Sequence, residues 1–195
     1  MVRSLTARKT QSPGSGNGTF WYPQDRRLRT PASAERAIEV ARIVSNRDGE
    51  DQELDEQRLF RALHTCAYRA ARCQRDPKGN SRELSAWLRR RAAIRSHLVE
   101  RNLGLVFHCL RQFRCEAPER DDLGGEGRLA LLRAVDRFDP FRGVRLSTYA
   151  YNSILRAVAR SRRRSDQYHR RFTVNFEVEG EWYEREDSGT ALFVD

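Results

Sequence analysis

Apolar residues recur at three- and four-residue steps over most of the chain, which predicts helices. After Pro31, Ser33 is placed to cap a helix to about Asn46, with Ile38, Val40, Ile43 and Val44 on its apolar face. Gly49 breaks it. A second helix runs from Leu54 to about Arg75, on Leu59, Leu63, Cys66, Ala70 and Cys73. Asp76-Pro77-Lys78-Gly79-Asn80 ends it, and Ser81 offers a new cap. A long helical pattern follows on Leu84, Trp87, Leu88, Ile94, Leu98, Leu105, Val106, Leu110 and Phe113, with Pro118 beyond its end. Another covers about Asp121 to Arg137, with Leu123, Leu129, Leu132 and Val135 inward. Asp139-Pro140-Phe141-Arg142-Gly143 is a turn, and Ser147 or Thr148 starts a final helix.

The ends differ from this body. Residues 1–19 contain Gln11-Ser-Pro-Gly-Ser-Gly-Asn-Gly18, a flexible-linker composition. Phe20-Trp21-Tyr22-Pro23 is an aromatic patch that either docks on the body or stays exposed. Phe172, Val174, Phe176 and Val178 alternate with polar residues, a strand period without an evident partner strand. The pattern therefore predicts an all-α protein, a compact bundle of about four to five helices. A flexible basic arm covers 1–31, the helical domain 32–165, and a linker or short acidic, partly extended tail 166–195.

Charge sharpens this division. The chain of 195 residues has 37 Lys+Arg against 27 Asp+Glu, a net charge of +10. Only Lys9 and Lys78 are lysines, so 35 of those cations are arginine. Arginine suits phosphate and base-edge recognition; codon usage in a GC-rich genome produces the same excess. Position is more informative than the total. Residues 152–171 carry seven Arg against Asp166, and residues 172–195 carry seven acids against Arg185.

Other classes find little support. The longest apolar stretch, Leu103–Phe107, is far below the roughly 20 residues that span a bilayer. The polar N-terminus lacks a signal-peptide core, which points to the cytoplasm and to no membrane partner. Cys66, Cys73, Cys109 and Cys115 form no Cys-x-x-Cys pair and read as core thiols. His64 near Cys66, and His108 beside Cys109, lack metal-ligand spacing, so no metal and no cofactor is expected. Paired carboxylates, a nucleophile–base set and a phosphate loop do not stand out, so an enzyme is not expected.

The final helix carries the most specific chemistry. Ala150, Ile154, Ala157 and Val158 share one side; Tyr149, Asn152, Ser153, Arg156, Arg160 and Arg163 share the other. Arg142, Arg145, Phe138 and Phe141 precede it. A ring among guanidinium groups suits a nucleic-acid strand with an unpaired base, since stacking contributes roughly 1–3 kcal/mol per base.

Four strings then stand in order. They are Asn102-Leu103-Gly104-Leu105-Val106, Asp122-Leu123-Gly124-Gly125-Glu126-Gly127, the run Leu132 to Asp139, and the run Arg142 to Ala150. With them, residues 98–161 resemble region 2 of sigma-70-type bacterial RNA polymerase sigma factors, and residues 54–97 are more weakly similar to the helical region preceding it. The resemblance implies a non-enzymatic transcription initiation factor. It would dock on the β′ coiled coil of core RNA polymerase and recognise and open the promoter −10 element, meeting DNA double- and single-stranded. It implicates Asp122, Leu123 and Glu126 in polymerase binding. It assigns Phe138, Arg142 and Tyr149 to a pocket for a flipped base, with Arg145, Tyr151, Asn152, Ser153, Arg156 and Arg160 on the surrounding DNA surface. An anti-sigma factor is a further partner of this kind.

Two departures from the family pattern bear on this. Asn152-Ser153 stand where the family has two tryptophans, and Arg156 where it has Gln. No helix-turn-helix pattern follows residue 165, which favours a fragment or truncated gene product lacking the −35-binding domain. The alternatives are a polymerase-binding regulator that does not initiate transcription, or a non-specific nucleic-acid-binding module.

Overall fold

The computed structural model describes residues 20–46, 54–76, 80–113 and 117–183. Five helices follow a 3-10 turn at Arg26–Leu28: α1 (Pro31–Ser45), α2 (Glu56–Arg75), α3 (Ser81–Leu110), α4 (Ala117–Arg137) and α5 (Leu146–Tyr183). A second 3-10 turn, Pro140–Arg142, joins α4 to α5. No strand occurs among the described residues.

The helix starts are set by side chains that the period does not reveal. Thr30, not Ser33, caps α1: its Oγ1 accepts the Ser33 amide at 3.1 Å. Pro31 explains the shift, because proline favours the first helical position and so leaves the cap to the residue before it. Asn80 rather than Ser81 caps α3, its Oδ1 accepting the Arg82 amide at 2.9 Å. The start of α5 is held from a distance. Glu56 Oε1, on α2, accepts the Leu146 amide at 3.2 Å and sets a carboxylate at the positive end of the α5 dipole.

The bundle is organised about α3, roughly 45 Å long at 1.5 Å per residue. It packs on α1, α2, α4 and α5, while α1 also packs on α2 and α4 on α5. One apolar core runs through all five helices, including Val40, Phe60, Leu63, Ile94, Leu98, Leu131, Val135, Ile154 and Val158. Burying a side chain of this size contributes about 1.5–3 kcal/mol. Gly127 marks the tightest crossing: a Cβ there would lie 2.8 Å from Val106 Cγ1 of α3. A bidentate clip also joins α3 to α4. Arg95 donates to both Asp136 oxygens at 2.8 and 2.6 Å, and Arg91 adds a third bond at 2.7 Å.

Two segments depart from the sequence pattern. Residues 20–30, expected in a flexible arm, lie on the body: Leu28 is buried, Trp21 meets the His64 ring at 5.4 Å, and Tyr22 meets Tyr68 at 5.6 Å. Residues 172–178, expected to be extended, are helical, because α5 continues to Tyr183. Extending a formed helix fixes one residue per hydrogen bond, whereas a lone strand has no partner for its amides. Residues 1–19 of the arm, residues 184–195 of the tail and Cys115 lie outside the described residues. Cys66 and Cys109 are buried thiols and Cys73 is half-buried; burial pushes Cys66 up to about 12. Among the described residues no group of His, Cys, Asp and Glu is placed to hold a metal. None of their helices is long and apolar enough to cross a membrane.

Candidate nucleic-acid interface

The turn before α5 presents the first candidate residues. Asp139 Oδ1 accepts the Phe141 amide at 3.0 Å, and Gly143, at φ 72°, reverses the chain in the left-handed region that glycine tolerates. Arg142 projects from this turn, its Nε 3.3 Å from Asp139 Oδ2 and its side chain 64% exposed. Arg145 is exposed just before α5 begins.

α5 then divides as its periodicity predicts. Ala150, Ile154, Ala157 and Val158 are buried, while Tyr149, Asn152, Arg156 and Arg160 are exposed and Ser153 is half-buried. Asn152 Nδ2 donates to Thr148 O at 2.9 Å, and Ser153 Oγ donates to Tyr149 O at 2.9 Å. Both side chains therefore lie back along the helix.

Tyr149 is the exposed ring of this face, at 39% accessibility. Behind it sits Phe138, only 5% exposed, with ring centroids 5.9 Å apart. Phe138 in turn packs on Phe60 at 4.6 Å, so it backs Tyr149 from the core. Its carbonyl accepts a 2.7 Å hydrogen bond from His64 Nε2. Burial holds the His64 pKa down, to about 4, so the ring is neutral at pH 7 and Nε2 carries the proton. Its Nδ1 is buried without a hydrogen-bond partner.

Beside Tyr149 an open groove of about 560 Å³ lies between α4 and α5. Arg156 and Arg160 line one wall, Arg133 and Arg137 the other. The last two are absent from the sequence-derived set. Their signal is their spacing, four residues apart on the same face as the small Ala130 and Ala134. Four guanidinium groups and one exposed ring thus converge on one concave surface, a combination that holds phosphates and stacks a base.

Not every candidate joins it. Tyr151 turns toward the end of α3, where its ring lies 6.1 Å from His108, and its hydroxyl accepts at 2.7 Å from Nε2 of Gln112 in the turn that follows. Two residues at about 100° each turn it about 200° around the helix from Tyr149. Asp122 is exposed and Glu126 half-buried, one turn apart near the α4 N-terminus. Leu123, between them, is 2% exposed and belongs to the core. Asp122 and Arg133 stand eleven residues apart, about 16 Å along α4, so the acidic pair and the basic groove occupy different ends of one helix.

This arrangement, a helical body presenting an acidic patch and an arginine-lined aromatic face, coincides with a known domain. The family model for Sigma-70 region 2 matches residues 98–168. The chain is 42% identical over 73 residues to the RNA polymerase sigma-C factor of a Nostoc species, covering 35% of this chain and 18% of that protein. It is 33% identical over 82 residues to the RNA polymerase sigma-F factor of Kitasatospora aureofaciens, covering 42% of this chain and 28% of the relative. A probable RNA polymerase sigma-C factor from a Synechocystis species shares 40% identity over 67 residues, 34% of this chain and 17% of that one. The match thus spans less than a third of the length of each of these relatives.

Proposed function

We propose that the chain is a transcription initiation factor of the sigma-70 type. It docks on the β′ coiled coil of core RNA polymerase through the Asp122–Glu126 end of α4, and it recognises and opens the promoter −10 element with the Tyr149 face. One observation carries the DNA reading: Tyr149 is exposed, backed by Phe138, beside a groove lined by four arginines. Tyr149 stacks on an unpaired base of the non-template strand, and the Arg133, Arg137, Arg156 and Arg160 groove holds its phosphates. Arg142 and Arg145 extend the basic surface along the turn. The factor acts in the cytoplasm with the polymerase, without chemistry of its own, and an anti-sigma factor that covers these faces would silence it.

The test is capture of single-stranded −10 DNA by the full chain. Tyr149→Ala is expected to weaken binding by roughly 1–3 kcal/mol and to flatten base preference; an unchanged affinity and preference refutes the base pocket. A second reading is favoured by Asn152 and Ser153, whose side chains bond back to α5 and supply no stacking area at the duplex edge. On that reading the chain binds polymerase but does not initiate. Run-off transcription with core polymerase separates the two, since a promoter-dependent product excludes the second.

A further inference from the structure

We infer that His64, on α2, is a positioning residue for base stacking: through the carbonyl of Phe138 it fixes the ring that backs Tyr149. This rests on the base-stacking reading of the Tyr149 face. His64 is 1% exposed, so it acts through Phe138 and not by contact with DNA. α4 ends at Arg137, so the Phe138 carbonyl lies at the helix end, where main-chain acceptors lack partners within their own helix. His64 Nε2 reaches it from another helix at 2.7 Å. One turn earlier on α2, Phe60 packs on the Phe138 ring, with centroids 4.6 Å apart. α2 therefore holds Phe138 at two points, the ring by packing and the peptide by a bond.

The two holds differ in kind. Apolar packing is non-directional and leaves the orientation of the peptide open, whereas a hydrogen bond sets it. That orientation aims the Phe138 ring, which lies 5.9 Å from the ring of Tyr149. A role in core packing alone fits His64 poorly. Its Nδ1 is buried without a partner, so an apolar side chain of similar size would fill the space without a desolvated polar atom. Burial and the nearby Arg91 keep the imidazole neutral, against the Phe138 hydrogen bond and the carboxylates of Asp139 and Asp136. What this ring supplies and an apolar one does not is the N–H aimed at Phe138.

The experiment compares His64→Gln, which keeps a donor at similar reach, with His64→Leu, which does not. Both are made in the full chain and measured against a short −10 single strand, at a temperature where melts show them folded. His64→Leu is expected to weaken binding roughly five- to tenfold, and His64→Gln to stay within about twofold of the parent. In the Tyr149→Ala background His64→Leu should change affinity by less than about twofold, because the ring it positions is gone. In the free protein, the Tyr149 ring resonances, read with isotope-labelled tyrosine, should move in His64→Leu and hold in His64→Gln. Should His64→Leu not fold, His64→Asn, whose amide stops one bond short, takes its place. Where Tyr149→Ala weakens binding, the proposal is overturned by any of three results. They are a folded His64→Leu that keeps either the parent's affinity or its Tyr149 resonances, a His64→Gln that loses as much as His64→Leu, and a loss that persists in full without the Tyr149 ring. If Tyr149→Ala leaves affinity unchanged, the base pocket fails, and the Tyr149 resonances alone decide whether His64 positions that ring.

Discussion

His64 shows how much one side chain carries. Its ring is enclosed by Trp21, Phe60 and the Phe138 carbonyl, and a neutral imidazole is what that site accepts. Its ordinary pKa is 6.5 and its folded value about 4. Protonation therefore favours the unfolded chain, so the contribution is fully present above pH 6.5 and is lost as pH falls toward 4. The gap is worth about 3 kcal/mol. His64→Gln keeps an amide donor without the titration. Urea midpoints measured from pH 7 to pH 4 should fall more steeply for the parent than for this variant; parallel profiles would refute the assignment. Gly127 gives the opposite kind of test. Its missing Cβ makes room for Val106, so Gly127→Ala should cost about 1–3 kcal/mol through overpacking. Gly104, also helical but with open space around it, should gain about 0.5–1 kcal/mol from the same change. Denaturant melts of the two variants should move in opposite directions.

At the scale of the helices, the elements were legible in the sequence and the ties between them were not. Leu59, Leu63, Cys66 and Ala70 predict α2 through their spacing alone, and Ala150, Ile154, Ala157 and Val158 predict the buried side of α5. The outward face with Tyr149, Arg156 and Arg160 was legible for the same reason. Periodicity reports only neighbours three and four apart, however. The His64–Phe138, Glu56–Leu146 and Arg95–Asp136 bonds join residues 74, 90 and 41 positions apart. Arg133 and Arg137 are not legible in this way, because their partners across the groove lie on another helix. The alternation at 172–178 misled because strand period requires a neighbouring strand before it has meaning. The Arg91–Arg95–Asp136 clip turns this into a measurement. Its side chains are 15–29% exposed, so removal should cost less than a fully buried pair, about 2 kcal/mol. Asp136→Ala should show that loss in urea unfolding, and Arg95→Ala in the same background should add little, because the pair is already broken.

Across the whole molecule, the segment at residues 20–30 matters more than its charge. The Arg91 guanidinium of α3 lies over the Phe20 ring at 4.7 Å, Trp21 meets His64 of α2, and Arg27 meets Phe141 before α5. A short strap thus touches three parts of the bundle that are distant in sequence. It reaches the Tyr149 face indirectly: Trp21 rests on His64, His64 holds the Phe138 carbonyl, and the Phe138 ring backs Tyr149. If the strap acted only as a basic arm, removing its charge would matter and removing its apolar anchors would not. The packing says the reverse. Leu28→Ala should cost about 2–5 kcal/mol, because Leu28 is fully enclosed, and should lower Tm by roughly 4–20 °C for a chain of this size. Arg26→Ala/Arg29→Ala should leave Tm nearly unchanged. Trp21→Ala, a half-buried ring, should lower Tm less than Leu28→Ala while loosening the support of Tyr149. Its affinity for single-stranded DNA should fall with an unaltered salt slope, because no phosphate contact is lost. A fall in slope with preserved Tm would instead make the strap an electrostatic arm.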